Sequence, residues 1–285
     1  MLREYQNYIF DLYGTLLDIS TDEHNKHMWR IMRDFYNVYG CVWKRKRLRD
    51  TFFLFDAGER QRLHVQTGVK RPEIKLERVF ARLLFEGCPH YTCSMSIGGV
   101  FVDDLRKRYE TDIEGVISEV SQSDWAVAAA NLFRVSSRDY IHPYEDTIET
   151  LKALRQRGKK VYLLSNAAKI FTMPEIEANG LAECFDKMYI SSDYGIMKPE
   201  KEFLHILLDE EALDPSQTVM VGNEISSDVA VALRCGVHGI YLNTAGWSIN
   251  KAEKTIEKLR KEENTDNSIN TDIILSGKIS ELLIS

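Results

Sequence analysis

The sequence predicts an α/β protein with a Rossmann-like parallel sheet and a helical domain inserted after the first strand. Short continuous apolar runs alternate with helix-like segments over the second half of the chain. A further apolar run lies near the amino terminus, and about 120 residues of helical periodicity separate it from the next one. Continuous apolar runs are typical of strands buried on both faces, and strand-helix alternation indicates a parallel sheet.

The first predicted strand is "NYIFD", which ends on Asp11. The region 19–140 follows it and is predicted to form a helical cap domain, because it has helical periodicity and almost no strand signal. Its helical segments are "DEHNKHMWRIMRDFYNVYG", "KRLRDTFFLFDAGERQRLH", "PEIKLERVFARLLFEG", "FVDDLRKRYE" and "SDWAVAAANLFRVSSRDY". The α/β core domain therefore comprises residues 1–18 and 141–285, and "HPYED" marks the return to it.

Four more strands are predicted in the second half of the chain: "KKVYLLSNA", "KMYISSD", "TVMVGNE" and "GIYLNT". The helices predicted between and before them are "EDTIETLKALRQRG", "KEFLHILLDEEAL" and "SDVAVALRCG". The first and third of these helices close on Gly158 and Gly236, as helices commonly do.

Composition narrows the class of protein. The chain has 285 residues, 44% of them apolar, and a formal charge of -6, which argues against a protein that coats nucleic acid or an anionic membrane. Its five cysteines are scattered without a CxxC pair, which indicates reduced thiols. No signal peptide or long apolar segment is evident, so we expect a soluble cytoplasmic protein. We interpret "KRKRLR" as the basic surface of a helix rather than a nucleic-acid site.

Polar side chains follow several predicted strands at the end where a parallel sheet binds its ligands. Asp11 ends the first strand, and a lysine stands just beyond the third. The full set is Asp11, Ser165, Asn166, Lys198, Asn223, Glu224 and Asp228. Acids, a hydroxyl and a lysine are thus expected to converge on one crevice from distant parts of the chain.

These motifs resemble those of the haloacid dehalogenase superfamily of hydrolases, of the type with a helical cap inserted after the first strand. "DLYGTLLD" resembles motif I, "LLSN" motif II, "KPEKEF" motif III and "VGNEISSDVAVALRCG" motif IV. The resemblance covers nearly the whole chain. It implies a cap that closes over the site, excludes water and sets substrate choice.

The resemblance also implies a mechanism, in which Asp11 attacks a phosphoryl group and water hydrolyses the aspartyl-phosphate. Mg²⁺ would be held by Asp11, the carbonyl of Tyr13 and a motif IV side chain, because Mg²⁺ prefers oxygen ligands. Lys198 would neutralise charge, while Ser165 and Asn166 would bind the substrate, a small phosphorylated metabolite. We expect no nucleic-acid or membrane partner, and the oligomeric state does not follow from the sequence.

Two departures from the phosphatase pattern affect this interpretation. Tyr13 stands where a second aspartate usually protonates the leaving oxygen, and a phenol with a pKa near ~10 is a poor proton shuttle. In motif IV, a gapless alignment puts Asn223 at the usual metal-binding aspartate and Asp228 at the second acidic position. Glu224 and Asp228 form an alternative acidic pair at four-residue spacing. Asn223, Glu224 and Asp228 are therefore all candidate metal ligands, and either register leaves an oxygen for Mg²⁺.

Alternatives follow from the same residues. A "D-x-Y-G-T-L" motif is also typical of 2-haloacid dehalogenases, which need no metal, although "GNEISSD" does not reproduce the spacing of their motif IV. Phosphonate hydrolysis, which needs a cap lysine to form a Schiff base, is a further alternative. A weakly active or non-catalytic binder of phosphorylated ligands is the alternative from a different class. "CPHYTC", residues 88–93, offers two thiols and His90, but no fourth zinc ligand is evident.

Overall fold

The computed structural model describes residues 2–88, 93–266 and 268–284. His90, the histidine of the possible zinc site, lies outside these residues. The described chain divides into two compact units. One, here called the core unit, comprises residues 1–19, 141–167 and 174–285, and the other, the helical unit, comprises residues 20–140 and 168–173.

The strands of the described residues are, in chain order, β1 Asn7–Phe10, β2 Leu17–Thr21, β3 Ser96–Ile97, β4 Val100–Phe101, β5 Arg138–Pro143, β6 Lys160–Ser165, β7 Lys187–Ile190, β8 Thr218–Gly222, β9 His238–Leu242 and β10 Thr271–Ile274. The α-helices are α1 Lys26–Val38, α2 Arg45–Thr67, α3 Leu76–Glu86, α4 Val102–Tyr109, α5 Ile113–Ser121, α6 Asp124–Ser137, α7 Thr147–Gln156, α8 Lys169–Ala178, α9 Ser191–Tyr194, α10 Lys201–Glu210, α11 Ala230–Arg234 and α12 Ile249–Glu262. A π-helical turn, Ile225–Val229, precedes α11.

The core unit is built on a six-stranded sheet in the order β10-β9-β8-β1-β6-β7. Each of its strand pairs is parallel, and Phe10 on β1 lies opposite Leu163 on β6 and Val221 on β8. Every residue of β1, β8 and β9 is buried, as continuous apolar runs require. The predicted fold class is therefore confirmed.

Strand order reverses at β1, and this determines where a ligand site can form. From β1 the chain adds β6 and β7 on one side, then crosses back to add β8, β9 and β10 on the other. The carboxyl ends of β1, β6 and β8 thus lie side by side at the switch point, where open α/β sheets bind their ligands. The sixth strand, β10, was not predicted, although its run "TDII" is apolar at the end.

The helical unit is held together by a cluster of large aromatic side chains from different helices. Phe133 on α6 lies with its ring centroid 5.1 Å from that of Phe52 on α2, 5.4 Å from Phe80 on α3 and 5.7 Å from Trp29 on α1. These four residues are almost fully buried. Such contacts explain why the predicted helical periodicity produces a unit with a core of its own.

Local signals explain where several of these helices begin and end. The Asn25 side chain accepts hydrogen bonds from the backbone N–H groups of His27 and Met28, which caps α1. Helix α2 ends at Gly68, whose φ of +73° suits a residue without a Cβ. The basic run Lys44–Arg49 forms the start of α2.

Two features of the region 19–140 differ from the all-helical prediction. Strands β3 and β4 form an antiparallel hairpin around Gly98 and Gly99, which have φ angles of +58° and +83°. A Gly-Gly pair is a turn signal that the helical interpretation missed. Strands β2 and β5 form a second two-stranded sheet, and the unit boundaries fall within these two strands.

The helical unit also includes residues 168–173, a segment that the sequence analysis assigned to the α/β core. Phe171 explains this placement, because its ring stacks on Phe133 with centroids 6.0 Å apart. The Arg134 guanidinium lies 5.5 Å from the centroid of the same ring.

Among the described residues, no helix combines the length and apolar character that crossing a membrane requires.

Phe133→Ala should lower the free energy of unfolding by about 3–5 kcal/mol, because it empties the centre of the aromatic cluster. Val135→Ala on the same helix is the matched control. Its side chain is 62% exposed, so the change should stay within about 0.5 kcal/mol. Guanidinium denaturation followed by tryptophan fluorescence measures both, since Trp29, Trp43 and Trp125 belong to the helical unit. Equal effects of the two substitutions would contradict the assignment of this core.

Candidate active site

A buried lysine stands between two carboxylates at the carboxyl end of the sheet. Lys198 Nζ lies 2.7 Å from Asp11 Oδ1 and 2.8 Å from Asp228 Oδ1, and it also donates to the carbonyl of Leu164 at 2.7 Å. Lys198 is 2% exposed. Burial alone lowers the pKa of Lys198, but the two carboxylates outweigh burial and raise it above the ordinary value. The lysine is therefore a fixed cation beside Asp11.

Asn166 holds the backbone at Lys198. Its Oδ1 accepts from the Lys198 N–H at 2.7 Å, and its Nδ2 donates to the Lys198 carbonyl at 2.9 Å. Asn166 follows β6, and Lys198 lies between α9 and α10, so this pair of bonds ties two loops together. The side chain predicted to bind substrate thus positions the lysine.

Asp11 follows directly after β1, where its N–H donates to the carbonyl of Val221 at 2.9 Å. The Thr15 hydroxyl lies 3.3 Å from Asp11 Oδ2 and 3.1 Å from Asn223 Oδ1, and it accepts from the Asn223 N–H. Between them, Gly14 has a φ of +77°, and a Cβ there would stand 2.3 Å from Asn223 Nδ2. Only glycine fits this turn, which brings the motif I and motif IV loops into contact.

In motif IV, both carboxylate oxygens of Asp228 have protein partners. Oδ1 accepts from Lys198, and Oδ2 accepts from the Glu224 N–H at 2.9 Å. Burial raises the pKa of Asp228 to about 6, against the lowering effect of Lys198. Gly222 makes this fit possible, since a Cβ there would stand 2.2 Å from Asp228 Oδ2.

The other two motif IV candidates for a metal ligand, Asn223 and Glu224, lie in different places. The Glu224 side chain is exposed and accepts from the Ser226 hydroxyl at 2.8 Å. Asn223, in contrast, is only partly exposed and shares the Thr15 hydroxyl with Asp11. Glu224 meets Asp228 through its backbone N–H, so the two do not form the side-chain pair considered from the sequence.

Ser165 is the last residue of β6 and is 1% exposed. Its hydroxyl is buried without a hydrogen-bond partner in the part of the chain that the structure describes. A buried hydroxyl left unpaired costs free energy, about 1–3 kcal/mol by mutational measures. An acceptor on a bound ligand would recover that cost, and a phosphoryl oxygen is such an acceptor.

Tyr13 has a partner that sequence reasoning missed. Its phenol donates to Glu175 Oε2 at 2.5 Å, and Glu175, on α8, is 4% exposed. Nothing in the sequence linked these residues, which lie 162 positions apart. Sequence reasoning also missed Thr15. This residue stands four positions after Asp11 within motif I, and a hydroxyl at that spacing is a usable signal.

The oxygen ligands around Asp11 suit one kind of metal ion better than another. Among the described residues, no group of three or more His, Cys, Asp or Glu side chains is arranged to hold one. The Asp11 carboxylate and the Asn223 amide oxygen both contact the Thr15 hydroxyl. These groups offer only oxygen atoms as ligands. Mg²⁺ takes few protein ligands and keeps several waters, so this set fits Mg²⁺ better than a thiophilic metal.

Comparisons with known proteins agree with the fold. The chain is 27% identical over 104 residues to the glyceraldehyde 3-phosphate phosphatase of Methanothermobacter thermautotrophicus, covering 36% of this chain and 46% of that protein. It is 25% identical over 181 residues to the phosphoserine phosphatase of Thermus thermophilus, covering 57% of this chain and 72% of that protein. The chain spans about half the length of the first curated relatives that it matches.

Among solved structures, the 2-haloacid dehalogenase of Pseudomonas syringae superimposes with a TM-score of 0.55, at 18% identity and over 98% of both chains. At that identity the likeness concerns the fold alone. The family model described as haloacid dehalogenase-like hydrolase matches residues 5–236, which is most of the sequence. The chain belongs to the haloacid dehalogenase-like hydrolase family.

Proposed function

We propose that this protein is a Mg²⁺-dependent phosphatase of a small phosphorylated metabolite, with Asp11 as the nucleophile. The observation that carries the proposal is the 2.7 Å contact between Lys198 Nζ and Asp11 Oδ1 in a buried site. A carboxylate that attacks a phosphate dianion needs a fixed positive charge beside it, and Lys198 is that charge. The glyceraldehyde 3-phosphate and phosphoserine phosphatases among the relatives support a substrate of this class.

In the proposed first step, an Asp11 oxygen attacks phosphorus, the bond from phosphorus to the leaving oxygen breaks, and the leaving oxygen takes a proton from solvent. Lys198 offsets the negative charge of Asp11 and of the phosphoryl oxygens, and the unpaired Ser165 hydroxyl donates to one of those oxygens. Water then attacks phosphorus and loses a proton to solvent, the bond from phosphorus to the Asp11 oxygen breaks, and inorganic phosphate and the Asp11 carboxylate are released. Bound Mg²⁺, held by Asp11, the Tyr13 carbonyl and Asn223, would supply further positive charge at the phosphoryl group.

Asp228 has a supporting role in this proposal. Its oxygens already accept from Lys198 and from the Glu224 N–H, so we assign to it the orientation of the lysine rather than direct contact with substrate. Asn166 has the same effect through the Lys198 backbone. A preorganised cation costs no reorganisation when the transition state forms.

A metal-independent 2-haloacid dehalogenase is the second candidate. Tyr13 stands two residues after the nucleophile, and the neutral amide Asn223 occupies the motif IV position of the usual metal-binding aspartate. Both features weaken the case for metal-assisted phosphoryl transfer. The same Asp11 carboxylate would then displace halide from carbon, so the two reactions differ in the product released and in the need for metal.

Asp11→Asn should lower turnover by at least about 10³-fold, because the amide is not a usable nucleophile. A panel of phosphorylated metabolites and 2-halo acids should be assayed for phosphate and for halide, with and without Mg²⁺. Asp209→Asn, an exposed change on α10, is the control and should leave turnover unchanged. Halide release without metal would overturn the phosphatase proposal, and ligand binding without either product would indicate a binder.

Wild-type protein should favour substrates with good leaving groups, because no carboxylic acid stands two residues after Asp11 to protonate the leaving oxygen. General acid-base help contributes about 10²- to 10⁴-fold, so kcat/KM for acetyl phosphate should exceed that for a sugar phosphate by a ratio of this order. Acyl phosphates are intrinsically more reactive than sugar phosphates, so the ratio of the two kcat/KM values in the wild type is not enough by itself. The same ratio is therefore measured in two variants at position 13. Tyr13→Asp should lower this ratio, because it raises kcat/KM for the sugar phosphate. Tyr13→Phe should leave the ratio unchanged.

Lys198→Met should abolish phosphate release and lower the free energy of unfolding by about 3–5 kcal/mol, because it leaves two buried carboxylates without their cation. Urea denaturation and a phosphate assay measure the two effects. Lys258→Met, an exposed change on α12, is the matched control. If the Lys198 variant kept full turnover, the ammonium would not be the charge that the reaction needs.

A further inference from the structure

Two thiols of the helical unit lie almost within bonding distance of each other. Cys41 Sγ and Cys88 Sγ are 3.1 Å apart, although the residues are 47 positions apart in the sequence. Both are free cysteines. A disulfide bond is about 2.03–2.05 Å long, so the sulfurs need to approach by only about 1 Å to form one.

The surrounding structure holds this pair in place. Cys41 follows α1 and Cys88 follows α3, and the chain ends of these helices are joined by the bond from the Val42 N–H to the Gly87 carbonyl at 2.9 Å. The Trp43 indole donates to the carbonyl of Leu83 at 3.1 Å. This region is hereafter called the α1–α3 joint.

The α1–α3 joint is closely packed. A Cβ on Gly87 would stand 2.0 Å from Trp43 Nε1, so glycine is required where the segments meet. The Tyr36 phenol adds a third link, since it donates to the carbonyl of Phe80 at 3.0 Å. Because these bonds connect the segments that carry the two cysteines, they hold the two cysteine backbones close together.

The two thiols differ in exposure and in charged surroundings, and these differences affect their reactivity. Cys41 is 4% exposed and Cys88 is half-buried, so a small reagent reaches Cys88 first. The hydrogen bond from Cys41 and the nearby Arg106 guanidinium lower the pKa of Cys88, against the effect of burial. Partial exposure beside a cation is the environment of reactive cysteines. These surroundings make Cys88 the more reactive thiol of the pair.

The other cysteines lack this arrangement. Burial raises the pKa of Cys184, and raises that of Cys235 to about 12. The sulfurs of these two cysteines lie against backbone carbonyls of the core unit. Cys93 lies near the α1–α3 joint, where its Cβ is 3.1 Å from the position that a Cβ on Gly40 would take, and it is 7% exposed. An experiment therefore has to distinguish a disulfide between Cys41 and Cys88 from one that involves Cys93.

We propose that Cys41 and Cys88 are an oxidation site, which a hydroperoxide converts to an intramolecular disulfide. The Cys88 thiolate attacks one peroxide oxygen, the O–O bond breaks, and the other oxygen leaves as water or an alcohol. The Cys41 sulfur then attacks the sulfur of the resulting sulfenic acid. The hydroxyl of the sulfenic acid leaves as water together with the Cys41 proton, and the disulfide bond between Cys41 and Cys88 forms. The two thiols together lose two electrons, and the peroxide gains them.

The test counts thiols after treatment of the full-length reduced protein with hydrogen peroxide. Denatured protein should fall from five titratable thiols to three, and mass spectrometry of a digest should find one linked peptide pair containing Cys41 and Cys88. Cys93→Ser and Cys184→Ser should each still lose two thiols. Cys41→Ser and Cys88→Ser should each lose the linked peptide. Five remaining thiols, a bond to Cys93 or a bond between two chains would overturn the proposal.

A second measurement needs no substitution. The new bond would close a loop across 47 sequence positions, so oxidised wild type should melt roughly 5 °C or more above the reduced form, and dithiothreitol should reverse the shift. A lower melting temperature after oxidation would show that the joint does not suit the bond. Neither readout depends on phosphatase or dehalogenase activity, so failure here is separate from failure of the proposed function.

Discussion

The site depends on the ion pairs that the buried Lys198 ammonium makes with two carboxylates. The ammonium lies between Asp11 and Asp228 with almost no access to water, and each carboxylate would be costly to bury without it. The three groups come from loops after β1 and β8 and from the segment before α10, so one cation joins distant parts of the core unit. Asn166 secures the lysine backbone, and this keeps the charge in place. The site is thus a product of the sheet topology, since β1 lies between β6 and β8.

Much of the core unit follows from the sequence because its strands are buried on both faces. β1, β8 and β9 are short, largely apolar runs, and their length of four or five residues favours a buried strand over a buried helix. Their carboxyl ends could therefore be identified before any contact was known. β10 was less evident, because only Ile274 at its end is fully buried and its other positions are half-exposed, as at the edge of a sheet.

The details of the site depend on turns and on long-range contacts, which a single sequence does not reveal. Glu175 approaches Tyr13 from a helix far along the chain, and no spacing links them. The placement of Glu224 at the surface and of Asn223 beside Thr15 is determined by the backbone after β8, where a π-helical turn follows. The segment 168–173 belongs to the helical unit because Phe171 packs on Phe133, a contact between residues that local patterning treats separately.

The central position of β1 has a consequence for the order in which the chain can fold. Asn7 pairs with Lys160 and with Thr218, so its nearest sheet partner lies about 150 residues downstream. During synthesis the first strand has to wait, while most of the helical unit is complete in the intervening segment and has an aromatic core of its own. A chain that emerges from the ribosome amino terminus first is therefore expected to form helices before its sheet, with an apolar strand uncovered in the meantime. In that interval the uncovered strand is a site at which chains can aggregate.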